Sequence, residues 1–153
     1  MPLYKEGSTA PVVDTGLVPL AFADWLKEPE HPAVSLANTD PVEALEPHLG
    51  TLRLIVLHFP KFSDGRAYSQ ARLLRDRFGY RGALRATGGV LQDQLPFLLR
   101  CGFDSFESEQ KGFGDALARA RTLFSVVYQP VGDGRATASQ LRLQRRNVGM
   151  AAD

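Results

Sequence analysis

Between Phe59 and Ser69 the chain reads Phe-Pro-Lys-Phe-Ser-Asp-Gly-Arg-Ala-Tyr-Ser. Lys61 and Arg66 bracket Asp64 and Gly65, and the hydroxyls of Tyr68 and Ser69 follow. A point-charge cation, a planar guanidinium and the free N–H groups of a helix start are the parts of an anion cradle. Arg72 lies within about one and a half turns of the same expected helix. Arg85 is expected to end a neighbouring strand, with Thr87 and the Gly88-Gly89 backbone after it. If the two strands are adjacent, Lys61, Asp64, Gly65, Arg66, Tyr68, Ser69, Arg72 and Arg85 converge on one pocket sized for sulfate, sulfite or phosphate. The same residues admit a purely structural role: Asp64 caps the helix, Arg66 is solvated and Tyr68 packs.

Other reactive side chains offer less. His58 ends an apolar run and reads as a satisfied core histidine rather than a base. His31 and His48 show no metal-ligand spacing with each other or with Cys101. Cys101 shares a helical stripe with Leu91, Leu95 and Leu98, so an inert buried thiol is expected. Gly88-Gly89 matches neither the dinucleotide fingerprint nor the P-loop, and no cofactor is assigned. Arg142, Arg145 and Arg146 near the C-terminus read as solubilising charges rather than as a nucleic-acid contact.

These groups need a scaffold, and the pattern supplies one. Short apolar runs alternate with helix-period segments, which predicts βαβ units and a parallel sheet. Strands are expected near 34–37, 53–59, 83–86, 104–107 and 125–129, with Leu52–Phe59 buried on both faces. A helix opened by Pro19 precedes the first strand, and one capped by Asp40 follows it. Helices with stripes Ala67, Ala71, Leu74, Phe78 and Phe113, Ala116, Leu117, Ala120 come later; between them, Pro96 predicts a late start or a kink for the Cys101 helix. The fold class is therefore α/β: a mostly parallel sheet of about five strands with helices on its faces, open or as an incomplete barrel. Residues 1–16 form an arm or a short edge strand around Pro11-Val12-Val13, residues 17–130 the single domain, and residues 131–153 a flexible basic tail.

Composition narrows the class of protein. At 153 residues with 44% hydrophobic and 23% charged side chains, one globular domain is expected. A single cysteine excludes an internal disulfide framework and a paired-cysteine zinc site. Neither a membrane-spanning run nor a signal-peptide pattern is present, so a cytoplasmic protein without membrane contact is expected. The net charge of +1 conceals an asymmetry: −6 over residues 1–50, +6 over 51–100 and +1 over 101–153. Fourteen arginines against four lysines favour planar recognition of oxyanions.

The stretch Phe59 to Arg75, the segment Gly79-Tyr80-Arg81-Gly82-Ala83-Leu84-Arg85-Ala86, and Asp93-Gln94-Leu95 through Arg100-Cys101-Gly102-Phe103-Asp104 resemble the signature of a bacterial family, domain of unknown function 934. The resemblance is long and specific from about 52 to 130 and weaker from about 12 onward. Members are described as oxidoreductases of sulfite reduction because their genes accompany sulfite reductase and related genes. This chain departs from the family pattern at Ala67 (usually Gly), Ala83 (usually Glu) and Gly89 (usually Asp). Two acids are thereby absent beside the expected site. The resemblance implies an accessory protein that binds a small oxyanion, or the sulfite reductase itself, through the basic loop edge. An oxidoreductase with an unidentified cofactor and a non-catalytic assembly factor are the alternatives.

Overall fold

The structure, a computed structural model, describes residues 2–14 and 16–120. Among the described residues six strands form one open sheet: β1 (Leu3–Lys5), β2 (Leu20–Ala21), β3 (Ala33–Leu36), β4 (Leu54–Phe59), β5 (Ala83–Gly88) and β6 (Ser105–Glu107). The order is β1-β6-β5-β4-β3-β2; β1 is antiparallel to β6 and every other pair is parallel. Strands β2 to β6 thus lie side by side in chain order. Right-handed crossovers wound always in one direction deliver every connection to the same face.

Burial follows the alternation of side chains along each strand. Val34, Leu36, Ile55, Leu57, Phe59, Leu84, Ala86 and Phe106 join one large core with the helices. Those helices are α1 (Phe22–Trp25), a 3₁₀ helix (Val42–His48), α2 (Arg66–Arg72) continued by a π turn (Leu73–Arg77), α3 (Leu95–Cys101) after a 3₁₀ turn (Gln92–Gln94), and α4 (Phe113–Ala120). Among the described residues the opposite face holds a small cluster, Ala33, Leu54 and Val56, with Leu17 and Ala83 against it. Among the described residues all helices therefore cover one face, and the N-terminal arm crosses the other.

Several boundaries differ from expectation for local reasons. The edge strand is Leu3–Lys5, and Val12 makes only an isolated bridge back to Leu3. Pro19 opens no helix; the chain first pairs with β3 at Leu20–Ala21, and α1 begins at Phe22. Asp40 accepts the Ala37 N–H at 2.7 Å and closes a turn instead of capping. The helix after it is 3₁₀ with Pro47 inside, where an α-helix would lose a hydrogen bond. Strand β5 runs on to Gly88, whose φ of +90° ends it. Pro96 falls in the first turn of α3, as its missing N–H requires. The expected strand at 125–129 and the tail at 131–153 lie outside the described residues.

Candidate functional site

The loop after β4 stands at the carboxyl edge of the sheet, and its own residues hold it in shape. Asp64 Oδ1 accepts the Arg66 N–H at 3.2 Å and Arg66 Nε at 3.1 Å, while Arg66 Nη2 donates to Oδ2 at 2.7 Å. Asn38 Nδ2, from the loop after β3, donates to the same Oδ2 at 2.7 Å. These contacts hold the Asp64 carboxyl down at about 2, with the Arg66 hydrogen bonds as the largest cause. Asp64 is thus the carboxylate that occupies the donors an incoming oxyanion would use. Gly65, not Asp64, is the N-cap residue of α2.

The remaining expected site residues separate. Tyr68 is half-buried, its ring 5.1 Å from Phe59 and 4.8 Å from Phe97, and burial pushes its hydroxyl up to about 12. Ser69 is exposed, and Arg72 lies 3.9 Å from Asp76 on the solvent side of the helix. Lys61 is exposed beside Phe62. Arg85 does not join them. It sits in the middle of β5, on the face away from α2, because its neighbours Leu84 and Ala86 face the helices. There it is 4% exposed and pairs with Asp14 of the arm at 3.0 Å and with Glu107 at 3.4 Å. Thr87 donates to the same Glu107 at 2.9 Å. Expecting one pocket from both groups assumed that Arg85 ended its strand; three further strand residues and the face alternation separate them.

What the carboxyl edge presents instead is aromatic. Phe62 is 57% exposed and Phe97 41% exposed, although both are large apolar side chains. The Phe62 backbone is pinned: its carbonyl accepts Gln94 Nε2 at 2.8 Å. A Cβ on Gly89 would lie 2.8 Å from the Phe62 nitrogen, so the two loops touch along their backbones. Gln92 Nε2 ties the next loop in through the Lys111 carbonyl at 2.7 Å. His58, expected in the core, is exposed and borders a separate cleft with Ser35 and Asp40.

Sequence reasoning missed Asn38, Asp14 and Glu107. Asn38 was accessible through the rule that loops at the carboxyl ends of adjacent parallel strands meet. The partners of Arg85 carried no such signal, because the arm has no periodicity to place Asp14. Among the described residues no group of His, Cys, Asp or Glu is arranged to hold a metal, and no helix is long and apolar enough to cross a membrane.

A family model described as "Bacterial protein of unknown function (DUF934)" matches residues 33–139. No curated protein matches the chain.

Proposed function

The chain belongs to the bacterial DUF934 family, and from that premise we propose that it is a binding protein of assimilatory sulfite reduction that docks the sulfite reductase through the carboxyl-edge loops. The pathway rests on the genes that such sequences accompany. The contact rests on one observation: Phe62, 57% exposed, is displayed on a loop that is already fixed on both sides. Aromatic anchors on preorganised loops are the side chains that dominate association energies, since little ordering entropy is lost on binding. Phe97, 41% exposed and tilted against the Tyr68 ring, is a second exposed aromatic side chain of this edge, and Lys61, next to Phe62 in the chain, supplies a cation. Capture of a free oxyanion at this loop is the weaker reading, because Asp64 already engages Arg66 and its backbone N–H. Mixing the purified chain with the purified reductase of the same bacterium tests the proposal by co-elution on size exclusion. A complex is expected; separate elution at micromolar concentrations refutes docking.

A further inference from the structure

At the carboxyl ends of β2, β3 and β4 lies a cleft of about 650 Å³ that neither Phe62 nor Phe97 lines. Ligands of parallel sheets bind at this end of the strands, and a space of this size takes a molecule of several carbons. Ala21, Phe22 and Ala23 form its apolar wall, and Ser35, Asp40 and His58 supply its polar side chains. The Phe22 ring is stacked on that of buried Trp25, with centroids 6.5 Å apart. The His58 ring is set against Gly88, where an added Cβ would lie 2.7 Å from its Cε1. Asp40 is half-buried and gives one carboxylate oxygen to the Ala37 N–H at 2.7 Å. It forms no ion pair within the described fold, and its other oxygen accepts no hydrogen bond there. The Ser35 hydroxyl and the His58 ring likewise have no hydrogen-bond partner among the described residues.

The surroundings of the cleft are acidic. Residues 1–50 supply its wall and Asp40, and they carry −6 overall. Of their two lysines, Lys27 pairs with Asp24 at 3.7 Å, and Lys5 lies in β1 at the far edge of the sheet. In the loop after β4, the Lys61 backbone lies on the β5 side against Gly89, and Arg66 is bound by Asp64. A half-buried carboxylate without a counter-ion, beside an apolar wall, a hydroxyl and an imidazole, is complementary to an ammonium group on an apolar body.

We propose that this cleft binds a small organic ammonium ion: the cation at Asp40, Ser35 and His58 as further acceptors, and the apolar body along Ala21, Phe22 and Ala23. It is independent of the aromatic edge that carries the docking proposal, and either can fail alone. Amide NMR titration of the full chain with benzylamine hydrochloride, benzyl alcohol and sodium benzoate tests it. Benzylammonium is expected to shift the Ala21, Ser35 and Asp40 amides with saturation at about 1–10 mM, and the alcohol and benzoate to bind at least about tenfold more weakly. Asp40→Asn, which keeps an oxygen for the Ala37 N–H, should weaken benzylammonium about fivefold or more. Ala23→Leu, at an exposed position of the wall, should fill the space and weaken it by a similar factor at an unchanged unfolding midpoint. Asp24→Asn, exposed and outside the lining, should leave the affinity within about twofold. No shifts at about 20 mM benzylammonium, equal binding of the alcohol or benzoate, or native affinity in Asp40→Asn or Ala23→Leu each overturn the proposal.

Discussion

Replacing Arg75 by Met should remove a large part of the protein's stability. Its guanidinium donates to the Gly102 carbonyl through Nε at 3.0 Å and Nη2 at 2.8 Å. It also donates to the carbonyls of Tyr80 at 2.8 Å and Gly82 at 2.9 Å through Nη1. Asp104 faces it at 3.4 Å, and the Tyr80 ring lies 5.4 Å below the guanidinium carbon. One side chain thus fixes the turns that lead into β5 and β6. A hydrogen bond from a charged donor contributes roughly 1.5–3 kcal/mol, but four from one group do not add independently. Truncation leaves three carbonyls without this donor, and the 17% exposure of the Arg75 side chain lets water recover part of the loss. The net cost worked from these contacts is about 3–5 kcal/mol, the range found when one partner of a buried charged network is removed. At about 2–4 °C per kcal/mol for a chain of this size, the melting temperature should fall by about 6–20 °C. Arg75→Lys should cost about half as much, because an ammonium cannot reach three carbonyls in one plane. Urea unfolding followed by the fluorescence of Trp25, which is fully buried, measures each variant. Gly102 supplies a cross-check. With φ at +104°, its added Cβ would lie 2.4 Å from Arg75 Cγ. Gly102→Ala should therefore cost less in the Arg75→Ala background than in the native chain. A loss below about 1 kcal/mol for Arg75→Met, or strict additivity in that cycle, refutes the role given to this side chain.

The Asp64 carboxyl should titrate at about 2 by carbon-detected NMR. Because its pKa is lower in the folded chain, its stabilising contribution is present above about pH 4 and is lost as pH falls toward 2; Arg66→Gln should return the titration toward the ordinary aspartate value near 3.9. Gly88→Ala should destabilise by about 1–3 kcal/mol, since φ is +90° and the new Cβ would lie 2.3 Å from the Phe59 carbonyl oxygen; Gly50→Ala, with open space around it, is the neutral control in the same urea assay. Cys101, 2% exposed, should react with a thiol reagent only as fast as the protein opens, so its labelling rate should rise on adding urea.

The sheet was legible because Leu54–Phe59 and its neighbours carry the continuous apolar character of strands buried on two faces, and because helix-period segments separate them. The stripes of Ala67, Ala71 and Leu74 and of Phe113, Leu117 and Ala120 are buried as their spacing implies. What spacing could not give was the side of the sheet each residue faces. Arg66 opens the helix after β4 and Arg85 lies inside β5, where the alternation along the strand sends it to the face without helices. The arm was illegible for a related reason. Its path is set by single long-range contacts, Val12 to Leu3 at 2.8 Å and Asp14 to Arg85 at 3.0 Å, which leave no periodic trace. Asp64 was read as a helix cap or a member of an anion site; its bond to Asn38, twenty-six residues away, depends on the adjacency of β3 and β4.

Docking through the carboxyl edge is tested most directly by titrating the purified sulfite reductase against the immobilised chain and its Phe62→Ala variant. Phe62 makes no ring contact within the described fold and stands 57% exposed, so its removal should leave the unfolding midpoint unchanged. A truncated anchor of this kind costs about 2 kcal/mol or more, equivalent to about thirtyfold in Kd. Saturable binding of the native chain, weakened about thirtyfold or more in Phe62→Ala at equal stability, is the expected result. Equal affinity of the two proteins, or no binding of the native chain at about 10 μM, contradicts it.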